Sequence, residues 1–208
     1  MSTSAAIDPR HTALVIIDLQ DDFLAPEGAY ARGGAVSPAA QALPPRVAEV
    51  AKTLKAAGGM VVGSQFTLWP DAQGEPMISP HLKALRPFLR RGDFAPGSAG
   101  QAHVADIARW VDVSVCKVAY SAFFNTQLDW VLRRAGITTV AVCGIVTNGG
   151  VASTVRDAHM RDYQTLVLSD GCAAFKQAMH DTSVADMANV AQVLTCADFA
   201  AAVAAPSA

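Results

Sequence analysis

Charge is scarce in this chain: Asp, Glu, Lys and Arg make up 16% of its 208 residues, and the formal net charge at pH 7 is -2. So even a balance offers no basic patch for nucleic acid or for an anionic membrane surface, and neither is expected as a partner. Long apolar runs are missing too, since none reaches the roughly 18 residues of a membrane helix. Only four cysteines occur, Cys116, Cys143, Cys172 and Cys196, without Cys-x-x-Cys or Cys/His metal spacing. Neither a disulfide framework nor a zinc site is therefore predicted. No signal-peptide pattern marks residues 1–10, and the thiols read as reduced, which points to a cytoplasmic protein. No repeat, low-complexity block or linker interrupts the chain, so residues 1–208 read as one domain. Hydrophobic residues make up 51% of the chain. With so little charge beside them, some apolar surface is expected to be covered in a homo-oligomer, a dimer or higher.

What the chain does have is alternation. Residues 13–17 (Ala-Leu-Val-Ile-Ile) form a continuous apolar run, as in a parallel strand covered on both faces. Similar runs at 60–64, 111–116, 137–143, 165–168 and 193–194 alternate with helical patterns near 47–54, 101–110, 128–135, 151–158, 182–190 and 198–204. That order predicts an α/β fold, a parallel sheet with helices on both faces. Segment 25–45 is rich in Pro and Gly and reads as a long loop, the kind that often serves as a lid or interface segment, and 66–94, with several prolines, reads as loop with short helical turns. Residues 1–11 are polar and are expected to be loosely ordered.

One stretch organises the rest. The run 137–143 ends at Gly144, the small turn Thr147-Asn148-Gly149-Gly150 follows, and Val151, Thr154, Val155 and Ala158 then recur at helical spacing. Strand, tight turn and helix together aim backbone N–H groups and the positive end of a helix at one point. Paired glycines let a ligand approach the backbone. Two further strand exits carry chemistry: Asp18 after the first strand and Lys117 after the third. In a parallel sheet these exits share one edge, where open α/β sheets bind ligands. A carboxylate beside a lysine is a general acid/base pair whose partner tunes its pKa. The plain alternative is a surface ion pair.

Taken together, Ile16-Ile-Asp-Leu-Gln-Asp-Asp-Phe23, Lys117-Val-Ala-Tyr-Ser-Ala-Phe123 and Cys143-Gly-Ile-Val-Thr-Asn148 running into Ser153-Thr-Val-Arg-Asp-Ala158 resemble the isochorismatase-like hydrolase superfamily over nearly the whole chain. The resemblance implies a three-layer α/β/α fold with a six-stranded parallel sheet in the order 3-2-1-4-5-6. It also implies a cis peptide between Ile145 and Val146, and a cofactor-free site for a small-molecule substrate. The cysteine hydrolases of the superfamily open C–N bonds of amides and ureides with an Asp, a Lys and a nucleophilic Cys. Asp18 and Lys117 match the first two, while the Cys position falls on Gly150.

Glycine carries no nucleophile, so an acyl- or carbamoyl-enzyme cannot form there. True isochorismatases look similar, with Gly at that position and Asp as acid for vinyl ether hydrolysis. Gln65 and the Tyr120-Ser-Ala-Phe123 segment also resemble that branch, whereas Thr147-Asn148 resembles the cysteine hydrolases. The favoured expectation is therefore vinyl ether hydrolysis: Asp18 is the acid, Lys117 holds a substrate carboxylate, and Gln65, Phe23, Tyr120 and Trp69 contact the substrate. Two alternatives stay open. One is a C–N hydrolase that uses water directly, with the N–H groups of Val146 and Gly150 as an oxyanion hole, or one whose cysteine has been replaced. The other is a binding protein that has lost the chemistry. The nicotinamidase-type metal site lacks its spacing here, since only Asp71 and His81 lie in that region, so no metal is expected. All five histidines read as structural or solvated.

Overall fold

A computed structural model describes residues 7–204 of the chain. Of the segment expected to be loose, residues 1–6 lie outside that range. Pro9–His11 form a 3-10 turn whose first turn is capped by the Asp8 carboxylate accepting from the Arg10 N–H.

Six strands form one parallel sheet: β1 (Thr12–Ile17), β2 (Met60–Phe66), β3 (Val113–Lys117), β4 (Thr139–Ile145), β5 (Gln164–Ala173) and β6 (Gln192–Leu194). Their order, β3-β2-β1-β4-β5-β6, is the one the resemblance implies. All of β1 and β4 are buried, which explains why both read as uninterrupted apolar runs. The chain winds outward from β1 to β3 and then returns to β4 on the other side of β1. That reversal leaves a crevice at the carboxyl ends of β1 and β4.

The described residues form ten helices around the sheet: α1 (Asp21–Leu24), α2 (Ala29–Arg32), α3 (Pro38–Gln41), α4 (Leu43–Ala56), α5 (Pro80–Leu85), α6 (Ala105–Ala108), α7 (Leu128–Arg134), α8 (Ala152–Met160), α9 (Gln177–Met187) and α10 (Cys196–Ala204). Helix α4 packs against α6 and α10, and α8 packs against α9 and β5. Among the described residues, no helix is long and apolar enough to cross a membrane.

Three expectations need correction. Pro44 and Pro45 do not belong to a loop, because they lie in the first turn of α4, where a missing N–H costs nothing. The helix expected over 101–110 shrinks to α6. Gln101 there accepts from the Gly97 N–H and donates to the Thr67 hydroxyl, both at 2.7 Å, while His103 bridges to Gln20 as an extended pair; these tertiary bonds replace helical ones. The turn expected at 169–171 lies inside β5. The β4–β5 register jumps from Val142–Val167 to Gly144–Cys172, so the extra residues form a bulge that ends the regular ladder beside the crevice.

Candidate active site

Asp18 leaves β1 with φ +53°, a left-handed conformation that Asp tolerates better than most residues. The chain turns there, and the carboxylate stays with the ends of β2 and β3. Its Oδ2 accepts from Lys117 Nζ at 2.7 Å, and its Oδ1 accepts from the Ser64 hydroxyl at 2.8 Å. Asp18 and Lys117 are 4% and 2% exposed, so the surface-ion-pair alternative is excluded. Burial pushes the Asp18 carboxyl above the ordinary carboxylate range, against the opposing pull of the Lys117 ammonium and the Ser64 hydroxyl. Lys117 also donates to the Ala119 carbonyl at 2.9 Å, and its ammonium lies 5.6 Å from the centre of the Phe66 ring.

A polar clamp fixes the strand exits around this pair. The buried Gln20 amide accepts from the Phe66 N–H at 2.7 Å and donates to the carbonyls of Phe66 and Gln101 at 3.0 and 2.8 Å. Gln65 joins the same clamp by donating to the Gln101 carbonyl at 3.0 Å.

The organising turn arrives from the other side. The Ile145–Val146 peptide is cis, and a π-type turn, Thr147–Val151, leads into α8. Two glycines let this segment meet β1. Gly144 has φ +111°, and a Cβ there would stand 2.2 Å from the Ile17 carbonyl oxygen. Any side chain would therefore push β4 away from β1. A Cβ on Gly150 would stand 2.8 Å from Ile17 Cγ2 and 3.2 Å from the Ile145 carbonyl oxygen. A side chain at Gly150 would therefore require the Ile17 methyl group to shift. Thr154 locks the arrangement, donating to the Gly150 carbonyl at 2.7 Å and accepting from the Ala122 N–H at 3.0 Å. The segment after β3 is thus tied to the turn, and Thr147 is held in addition by His180 Nδ1 at 2.9 Å.

Asp18, Lys117, Ile145, Val146 and Gly150 meet at a cavity of about 280 Å³. Of the residues expected to contact substrate, Phe23 and Tyr120 line it. Gln65 and Trp69 do not: the Gln65 amide is spent in the clamp, and Trp69 is 47% exposed outside the cavity. Lys117, given the task of holding a substrate carboxylate, already has a carboxylate partner in Asp18.

Other residues of the site and its walls escaped the sequence reading. Ser64 holds Asp18 from beneath, and its only signal was a hydroxyl ending a buried strand. Tyr30, Phe66, His81, Arg86 and Phe175 complete the walls. Tyr30 stacks on Phe175 with ring centres 5.6 Å apart and planes 7° from parallel, a contact between α2 and the segment after β5 with no sequence signal. Among the described residues, no three His, Cys, Asp or Glu side chains are grouped to hold a metal.

Comparison with known proteins agrees with this geometry. The isochorismatase domain family matches residues 12–198. The ureidoacrylate amidohydrolase RutB of Methylobacterium radiotolerans is 31% identical over 193 residues, covering 88% of this chain and 75% of that protein. The uncharacterised isochorismatase family protein YwoC of Bacillus subtilis is 33% identical over 192 residues, covering 88% and 89%. Among solved structures, a cysteine hydrolase from Pseudomonas syringae pv. phaseolicola superposes with a TM-score of 0.83 at 26% identity, covering 98% of each chain. The N-carbamoylsarcosine amidase of Thermoplasma acidophilum gives 0.70 at 26%, covering 89% and 96%. With the matching domain spanning every strand and both halves of the buried pair, the chain belongs to the isochorismatase family of hydrolases.

Proposed function

We propose that the protein hydrolyses a vinyl ether by proton transfer from Asp18, without a covalent enzyme intermediate. One observation carries the reading: a buried carboxyl, raised in pKa by desolvation, faces the cavity while Gly150, at the position of the family nucleophile, offers no side chain. A raised pKa favours the protonated carboxyl that a general acid requires.

Asp18 donates its proton to the terminal vinyl carbon, and the ether oxygen shares the resulting positive charge as an oxocarbenium ion. The new carboxylate at Asp18 is stabilised by the ammonium 2.7 Å away. The Ser64 hydroxyl donates to the carboxylate and turns to accept when the acid is protonated. Water adds to the cationic carbon, the hemiketal collapses to a ketone and an alcohol, and the proton that water releases restores the acid.

A second reading draws on the relatives' names, which describe amide and ureide hydrolysis. In it Asp18 is ionised and activates water against a C–N bond, with Val146 and Gly150 at the cavity wall beside the developing oxyanion. A homo-oligomer in the cytoplasm fits either reading, and exposed apolar side chains such as Trp130, Phe124 and Met160 support the association.

The test is a two-arm turnover panel on wild type and Asp18→Asn: pyruvate from isochorismate, and ammonia from small amides and ureides. Pyruvate release that disappears in Asp18→Asn is expected. Ammonia release alone moves the assignment to C–N hydrolysis, and silence in both arms discards both readings.

A further inference from the structure

The segment 79–89, α5 and the turn after it, forms one wall of the cavity through Ser79, His81, Leu82, Leu85, Arg86 and Leu89. Arg86 stands out electrostatically. Its Nε donates to the Tyr30 hydroxyl at 3.2 Å and its Nη1 to the Leu85 carbonyl at 3.0 Å. Both acceptors are neutral, and Nη2 has no partner within the described residues. The other cation in the cavity, Lys117, is already in contact with the Asp18 carboxyl. Arg86 is thus the one lining Lys or Arg without a carboxylate among the described residues. Beside it, the His81 ring has no hydrogen-bond partner among the described residues.

Guanidinium groups in a half-buried wall are well suited to accept a carboxylate in a two-pronged contact. The surfaces nearby are flat and apolar. Tyr30 lies 4.5 Å from Phe23 and parallel to Phe175, and the Arg86 guanidinium sits 6.0 Å from the centre of the Tyr30 ring. We infer that Arg86 anchors a carboxylate and that the cavity selects small carboxylates with an unsaturated or aromatic body. The inference deepens the proposed function by naming the ligand class. It requires only binding, so it stands or falls separately from turnover.

Benzoate and nitrobenzene provide the probe pair, since they share shape and size while only benzoate carries net charge. Both are titrated into wild type, Arg86→Met and Arg86→Lys, with amide chemical shifts as the readout. Wild type is expected to bind benzoate at least about tenfold more tightly, the lower end of what a charge-assisted hydrogen bond contributes. The shifts should centre on residues 79–89. Arg86→Met should erase the preference while leaving nitrobenzene affinity unchanged, and Arg86→Lys should keep part of it. Equal affinities in wild type overturn the inference even if no variant folds. So does a preference that survives in a folded Arg86→Met protein, or shifts centred away from the 79–89 wall.

Discussion

Lys117→Met leaves the Asp18 carboxyl in its buried place and removes the ammonium 2.7 Å from Oδ2. Were Asp18 to stay charged, the loss would be that of a broken buried pair, about 3–5 kcal/mol. Asp18 has an escape, because desolvation already raises its pKa and Lys117 is the largest opposing influence. Without Lys117 the folded-state pKa climbs further and the carboxyl binds a proton. The cost of the substitution then depends on pH. Below the unfolded-state pKa, near 3.8, the carboxyl is protonated in both states and contributes no slope. Above it the unfolded chain loses the proton first, so stability falls as pH rises, by at most about 1.4 kcal/mol per pH unit. The fall stops once the raised folded-state pKa is passed. Wild type slopes in the same direction over a narrower window, because Lys117 holds its folded pKa lower. Urea midpoints for both proteins between pH 5 and 8 measure the difference. The gap should be small at pH 5 and widen towards pH 8. A gap of constant size, or one that narrows with pH, refutes the account of Asp18 as a carboxyl raised by burial and restrained by Lys117.

Three further outcomes are expected. Asp18→Asn abolishes turnover, but it also strands the Lys117 ammonium at a 2% exposed site. Its urea midpoint should therefore fall, and pairing it with Lys117→Met should recover part of the loss; an additive loss would mean the two side chains are not coupled. Gly150→Cys should cost about 1–3 kcal/mol, because the new Cβ overpacks against Ile17 Cγ2. A denaturation midpoint equal to wild type would show that the methyl group does not exclude a side chain there. An alkylating reagent on the native protein should add one label, at the exposed Cys116, and spare activity. Burial raises the thiols of Cys143, Cys172 and Cys196, the last to about 12, which keeps them unreactive. Activity lost in proportion to labelling at Cys143 or Cys172, followed by mass spectrometry, would point to a displaced nucleophile.

Periodicity and composition determined the sheet, since β1 and β4 are buried on both faces and so had to be written as unbroken apolar runs. They also made Asp18, Lys117 and the 147–150 turn legible, because each interrupts or follows a strand, and all strand exits of a parallel sheet share one edge. Gly150 could be read as a missing nucleophile from its motif position alone. Tertiary structure decided what stands around them. Gln65 follows β2 as a substrate-binding residue would, yet Gln101, far away in sequence, takes its amide. Trp69 has the chemistry of a pocket wall and the location of a surface residue. Arg86, Tyr30 and Phe175 come from three separate places, the end of α5, the single-turn helix α2 and the stretch after β5, each too short for a 3.6- or 2-residue period to reveal side-chain direction. The balance at Asp18 was beyond the sequence for the same reason: desolvation and the Lys117 contact depend on atoms packed in three dimensions, and their net sign appears only when both are in place.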